Sequence, residues 1–573
     1  MRRATCLVLF VLLAIPVAAA GKRSSRARGS NEVIQVTTHL VQVNVIVKDR
    51  HGKLVPGLTS NDFTIYDDGR PQKISDFLVE QAHKPPALPP VPPDFFTNIP
   101  ERLAGGSPAV TVILLDGLNT QWNDQASARQ QVVKFLQHIQ PDDRIGLYTL
   151  GTRLVMLHDF TSDSAALVQA LAHNRGRNGN EVEASQGDNP DNPPVWTETV
   201  GDLSSGIPSQ AVSSAIQEWL REATNLEARY YMDQRVKMTV DALVAISNHL
   251  RGVPGRKNLI WVSSAFPLLR GMDRLMKEGD FSTGSVYGAE ISRATEALND
   301  VNLAIYPVDA RGLMVDPHYV VSGRPVSNGQ YRAMQRNPRM WTDSGDNFPT
   351  MDEFAHRTGG RAFYNTNDIQ GAIWQVVDDS RLTYLLSYYP AHTEWNGKFH
   401  KIKVKVDRPD VRLQYRDGYA AVPEPPAASR TATQALDAAV MSPLDATGVD
   451  FVVKATPAKA VSRQLAVQYW IDARNITLAP DGKKLAVHLT MVVEQFGPRG
   501  EALKGVSHSI DFDLDAANRQ TFLASGVRFS EPLAIVPGAE RLRFVVRDDA
   551  TQSMGSVSVP LDRITSAQQT GHK

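Results

Sequence analysis

Apolar and polar positions change rhythm several times along this chain, and each change predicts a different kind of element. Between residues 34 and 48 apolar residues recur at alternate positions, at Ile34 and Val36 and then at Val41, Val43, Val45 and Val47. A period of two with β-branched residues predicts strands. Turn pairs at His51-Gly52 and Asp68-Gly69 separate the short apolar runs that follow, so residues 33–82 read as a small β unit. Residues 84–100 then carry proline at a density that excludes helix and interior strand, which makes 83–105 an extended linker.

From residue 109 the rhythm becomes that of buried strands alternating with helices. The continuous apolar run 109–115 ends on Asp116, and a helix over 123–139 is expected to bury Ala126, Val133, Phe135 and Leu136. Strands at 144–150, 154–157, 257–262, 302–309 and 361–364 alternate with helices at 233–251, 286–300, 351–357 and 367–381. Repeated β-α units of this kind predict a mostly parallel sheet with helices on both faces, an α/β domain over 106–390. Stretches near 174–230 and 310–350 fit no element and read as long insertions, either walls of a binding face or mobile segments. Beyond them, strands over 398–420 carry alternating Lys residues on a solvated face and are expected to complete the N-terminal β unit, the α/β domain being inserted between the two halves. A second linker at 421–432 leads to 433–573, where 485–493, 509–514 and 540–547 alternate as the strands of a β-sandwich.

Composition narrows the function classes. Lys plus Arg and Asp plus Glu are both 61 in 573 residues, so no net field draws the protein to nucleic acid. Residues 1–20 have a charged start, a short apolar run and the small residues Ala18-Ala19-Ala20 before Gly21, the form of a secretory signal peptide. A basic stretch over 21–32 is expected to be disordered, and no later segment reads as a transmembrane helix. The single cysteine, Cys6, lies within the leader, so the mature chain would have no disulfide, thiolate metal ligand or thiol nucleophile.

The turn after the first buried strand, Asp116-Gly117-Leu118-Asn119-Thr120, offers a carboxylate, an amide and a hydroxyl oxygen together, the donors a hard divalent cation takes. With this strand, its following helix and the strand PDDRIGLY, the chain resembles a von Willebrand factor A domain over most of 109–390. The flanking phrases VNVIVKDRHGKLVPGLTSNDFTIYDDG, GKFHKIKVKV and RDGY are similar to a secreted acidobacterial group of von Willebrand factor A-related proteins. The resemblance implies a Rossmann-like fold that binds proteins through a metal-ion-dependent adhesion site holding Mg2+ or Ca2+. The family's D-x-S-x-S motif stands here as Asp116, Leu118 and Thr120, with a leucine in place of one hydroxyl. A later strand that ends in aspartate in the family ends here in Val262-Ser263-Ser264-Ala265, and Thr161, after a strand, is the candidate for the family's loop threonine. Asn119 and Asp309 are the compensating oxygen donors, while Ser263, Ser264 and Arg311 would line the crevice at neighbouring strand ends. The alternative is that Asp116 merely closes its own turn and Asp309 pairs with Arg311.

No phosphate-binding loop, nucleophile elbow or H-E-x-x-H pair occurs. The expectation is therefore a secreted, non-enzymatic binding protein with an extracellular or periplasmic protein partner. A metal-assisted hydrolase using Asp116 or Asp309, and a metal-free structural component of the cell envelope, are the other readings.

Overall fold

The computed structural model describes residues 40–81, 91–92, 94–99, 109–174, 210–266, 288–313, 347–392, 395–421, 430–458, 463–481 and 484–564. The leader at 1–20 and the basic stretch at 21–32 lie outside the described residues, as do 175–209 and 314–346, the greater part of the two expected insertions. In chain order the elements are β1 (Val41–Asp49), β2 (Phe63–Asp67), β3 (Arg70–Gln72), β4 (Asp76–Gln81), β5 (Phe95–Thr97), β6 (Ala109–Asp116), α1 (Trp122–Leu136), β7 (Ile145–Leu150), β8 (Leu154–Thr161), α2 (Ser164–His173), α3 (Gln210–Leu250), β9 (Arg256–Ser263), α4 (Gly288–Asp300), β10 (Leu303–Asp309), α5 (Asn347–Thr358) and α6 (Ile369–Asp379). They continue as β11 (Leu382–Tyr388), β12 (Phe399–Val406), β13 (Val411–Gln414), β14 (Gly418–Ala420), α7 (Arg430–Met441), β15 (Phe451–Pro457), β16 (Gln464–Ile471), β17 (Ala479–Asp481), β18 (Lys484–Phe496), β19 (Ala502–Asp515), α8 (Arg519–Ser525), β20 (Val527–Ala534), β21 (Arg541–Asp548) and β22 (Met554–Pro560). The architecture is mixed α/β, with one mostly parallel five-stranded sheet and several antiparallel sheets.

In the parallel sheet the order is β10-β9-β6-β7-β8, and only the edge strand β8 runs antiparallel. Its apolar runs are continuous because both faces are covered. Ile113, Ile260 and Val262 pack under α1, α2 and α6 with Val132, Leu167 and Ile373. Val112, Leu114 and Trp261 pack under α3, α4 and α5 with Val240, Leu298 and Phe354. Carboxylates start the helices: Asp163 accepts from the Ala166 N–H at 3.1 Å to cap α2, and Asp368 from Gly371 at 2.7 Å to cap α6.

Several expectations shift. Helix α1 buries Ala128 and Val132 with Phe135 and Leu136, whereas Ala126 is exposed and Val133 half-buried. Residues 210–230, read as part of an insertion, are the first turns of α3. The expected strand 361–364 makes a single bridge, Phe363 to Val308, beyond the edge strand β10, where Pro307 can accept a bond but not donate one.

Strands from before and after the α/β unit are interleaved in two antiparallel sheets, β13-β1-β11-β4 and β14-β12-β2-β3. Val43, Val45, Phe63, Ile65, Tyr384, Leu386, Ile402 and Val404 from both halves share one core. Strand β11, placed within 106–390 by the sequence reading, lies between β1 and β4, so the α/β unit ends before residue 382. This sandwich sits at the amino ends of the parallel strands. Gln414 Nε2 donates to the Tyr306 hydroxyl and the Gly359 carbonyl at 3.1 Å each, and Asn302 Nδ2 donates to Gln42 at 2.6 Å. Beside these contacts burial pushes the Glu80 carboxyl up to about 6 and the Lys257 ammonium down to about 8, each partly offset by the other's charge.

The proline-rich linker contributes an element of its own. Strand β5 pairs with β15 at the edge of the sheet β20-β16-β15-β5, a position proline-rich sequence tolerates. Buried Asn98 then fastens it, donating to the Ala446 and Val449 carbonyls and accepting from the Phe451 N–H. The second linker also differs from expectation, since α7 begins at Arg430. The C-terminal unit is completed by β17-β18-β21-β22, with β19 paired to β18, and the two sheets share Val453, Val467, Tyr469, Leu489, Met491, Phe544 and Val557 in one core.

A charge on α4 makes stability pH-dependent. Burial, aided by the like charge of Asp300, pushes half-buried Glu296 from 4.5 up to about 7. A carboxyl with a raised folded-state pKa contributes stability that is full below 4.5 and lost as pH rises through 7. Glu296→Gln is therefore expected to stabilise the protein at pH 8 by about 1–2 kcal/mol after allowance for solvent screening, and not at pH 4.5. Urea unfolding of both proteins at the two pH values checks this.

Candidate functional site

The register of the parallel strands places the candidate residues. Asp309 pairs with Ser263, and Leu115 pairs with Val262, so Asp116, Ser263 and Asp309 form one row at the carboxyl ends of β6, β9 and β10. Ligands of open α/β sheets gather at this end, and here it is the end the sandwich leaves uncovered. Asn119, Thr120 and Ser264 are brought into the same cluster, as is Arg311 in the turn after β10.

Asp116 is fully buried and heavily bonded. Its Oδ1 accepts from the Asn119 backbone N–H at 3.0 Å. Its Oδ2 accepts from Asn119 Nδ2 at 2.8 Å, from the Trp261 indole N–H at 2.8 Å and from the Ser263 hydroxyl at 3.0 Å. Burial pushes this carboxyl up from its ordinary value, and the donors act in the opposite direction. Asn119 is itself clamped from α3, donating to Thr239 Oγ1 and accepting from Arg235 Nε, each at 3.0 Å. The Thr120 hydroxyl accepts from the Ser264 N–H at 3.1 Å, and the Ser264 hydroxyl from the Gln121 N–H at 3.2 Å.

Arg311 forks onto Asp309, with Nη2 at 2.7 Å from Oδ2 and Nε at 3.0 Å from Oδ1. Asp124, in the first turn of α1, feels both of these charges. Burial is the main cause that raises its carboxyl, Asp309 adds to the rise, and a bond from Ser264 and the charge of Arg311 oppose it. Outside this set, Trp122 and Leu313 flank the strand ends with 51% and 59% of their surface exposed.

This donor set does not fit Mg2+ or Ca2+. A hard cation needs free oxygen lone pairs around it, but Asp116 Oδ2 already faces three N–H and O–H donors. One of these is an indole N–H, which has no lone pair to turn toward a metal. Leu118 is buried in the apolar core beneath the turn, and Asp309 is neutralised by a guanidinium. The bonds present are those of a closed turn and an internal ion pair.

Thr161 does not join the cluster. It pairs with Ile145, at the start of β7, while Asp116 pairs with Leu150 at the end. With about 3.3 Å per residue, Thr161 lies at the opposite end of the sheet's strands, well over 10 Å away. The antiparallel direction of β8 is the cause. Sequence reasoning also missed Trp261, Thr239, Arg235 and Asp124. The available signals were that Trp261 shares strand parity with Ser263, and that Arg235 and Thr239 are four apart on one helix face.

Away from this end, among the described residues, Asp67, His392 and His400 each bring one ligand atom within 4.8 Å of the others, a group able to hold a metal ion. No helix of the described residues is long and apolar enough to cross a membrane.

No protein family matches the chain in a comparison of sequences, nor does any curated protein. Among solved structures, it is similar to an aerotolerance-related membrane protein from Bacteroides fragilis, at 12% identity and a TM-score of 0.22 over 47% of this chain and 98% of that one. It is also similar to the conserved hypothetical protein BatB from Bacteroides thetaiotaomicron, at 10% identity and a TM-score of 0.19 over 48% of this chain and 98% of that one. A third likeness is to the pilus adhesin SpaC from Lactobacillus rhamnosus GG, at 9% identity and a TM-score of 0.23 over 88% of this chain and 58% of that one. At these scores the likenesses carry no argument about activity.

Proposed function

We propose that this chain is a non-catalytic binding protein of the von Willebrand factor A type that docks a protein partner on the carboxyl end of its parallel sheet without a bridging cation. It works on the secreted side of a membrane, in the periplasm or outside the cell. The observation that carries the reading is the division of labour at this end. The polar groups of the Asp116, Ser263 and Asp309 row are spent on one another, while the exposed Trp122 and Leu313 flank them. Large apolar side chains around a rigid polar floor suit protein contact, with Trp the more energetic anchor. The signal-like leader supports the location.

A metal-assisted hydrolase using Asp116 or Asp309 would need those carboxylates open to a metal or a reactant, and Asp116 is taken up by Asn119, Trp261 and Ser263 while Asp309 is taken up by Arg311. The binding reading is therefore preferred.

Photocrosslinking in cells tests it. A benzoylphenylalanine at position 122 or 313 is expected to yield a discrete protein adduct that persists in EDTA. The same group at His138, past the other end of α1, is expected to yield none. Adducts from His138 alone, or adducts abolished by EDTA, would sink the proposal.

A further inference from the structure

The sandwich holds a polar cluster that the docking end does not use. Asp67 closes β2, His400 lies on β12, and His392 follows β11. Ile402 pairs with Asp67 and Tyr419 with His400, so the two sheets bring the group together from segments more than 300 residues apart in sequence. The Tyr388 and Tyr419 hydroxyls both donate to Asp67 Oδ2, at 3.0 and 2.8 Å. That leaves Oδ1 as the oxygen facing the imidazoles, 3.4 Å from His400 Nδ1. The rings of His392 and His400 are stacked with centroids 3.9 Å apart, and His400 Nδ1 also lies 3.0 Å from the half-exposed Asp68 carboxylate.

Tyr419 links the carboxylate to the second histidine. Its hydroxyl donates to Asp67 and its oxygen lies 2.7 Å from His392 Nε2. Two imidazoles and one oriented carboxylate, with phenols holding the carboxylate's second oxygen, have the composition of a borderline-metal site with its outer shell in place.

We propose that Asp67, His392 and His400 bind a divalent transition ion of the Zn2+ class, with water as the fourth ligand, and that the ion fastens the β strands preceding the α/β unit to those following it. Nitrogen and oxygen donors in this mix select Zn2+ over Mg2+ or Ca2+. Donor atoms now within 4.8 Å of one another draw in to about 3.3 Å around a tetrahedral ion, which the stacked rings reach by rotating apart. The proposal is independent of the docking end, which lies on another sheet.

The test is calorimetric titration of Zn2+ into the EDTA-stripped full chain, with melting followed in parallel. One saturable site is expected, with micromolar or tighter affinity and a rise in melting temperature of at least about 3 °C at saturation. His392→Ala and His400→Ala are expected to weaken binding at least 30-fold and to abolish the rise, while Asp116→Asn leaves both unchanged. On the unaltered protein, Zn2+ is expected to protect His392 and His400 from carbethoxylation mapped by mass spectrometry, which keeps the test open should a variant misfold. Absence of a saturable site, undiminished binding in both histidine variants, or equal modification with and without Zn2+ would overturn the proposal.

Discussion

Asp116→Ala is expected to lower the unfolding free energy by about 3–5 kcal/mol, a loss in the range seen when a buried hydrogen-bonded group is removed and its donors are stranded. The change strands the Trp261 indole N–H and the Asn119 backbone N–H in a place closed to water. The Ser263 hydroxyl retains the Ala265 carbonyl and the Asn119 amide retains Thr239, so four lost bonds do not cost four full penalties. Asp116→Asn keeps one acceptor but turns an amide N–H toward other donors, and should cost about 1–2 kcal/mol. Urea unfolding should give the same differences in EDTA, in Mg2+ and in Ca2+. A saturable stabilisation of the unaltered protein by either cation, absent from Asp116→Ala, would return a metal to this row and remove the cation-free part of the docking proposal.

Arg543→Ala should cost about 2–4 kcal/mol, because it leaves the partly buried Asp445 carboxylate without its cation and the Ala439 and Leu444 carbonyls without their donor. Arg543 on β21 is fully buried and donates to the Ala439 and Leu444 carbonyls, Asp445 Oδ1, and the Ser556 and Ser558 hydroxyls. One side chain thereby holds α7 and the loop after it against β21 and β22. That loop also meets the α/β unit, since the His249 imidazole donates to the Asp445 carbonyl and the Thr447 hydroxyl to that of His249. The variant is expected to expose residues 430–447 to limited proteolysis before the rest of the chain. Unchanged cleavage there, with reduced overall stability, would show that Arg543 acts within the C-terminal core alone.

The parallel row was legible because its strands are apolar runs that stop on polar residues. Asp116, Ser263 and Asp309 could be aligned by that pattern. Strand direction was not read from the same periodicity, and Thr161 was placed at the wrong end as a result. The missing clue was length: Gly151-Thr152-Arg153 is three residues, whereas a parallel return needs about a dozen. The saturation of Asp116 was hidden for another reason. Its decisive partner, Trp261, looks like any other apolar residue of a buried strand until the register brings its N–H to the carboxylate. The Asp67, His392 and His400 group has no local spacing at all, since it exists only after strands from both sides of the α/β unit pair. Strand β5 was masked by composition, which argues correctly against an interior strand and says nothing against an edge.

The pairing of Gln81 with Leu382, and of β5 with β15, has a consequence for the order in which the protein can be made. Strands β4 and β5 leave the ribosome long before their partners exist, and each must wait for about 300 residues or more of later chain. If the α/β unit folds first, it brings Gln81 and Leu382 together and removes most of the loop-closure entropy that an unfolded insert would impose. Until then, β1–β5 present unpaired backbone edges, which makes the nascent amino-terminal segments the part of the chain most dependent on a chaperone.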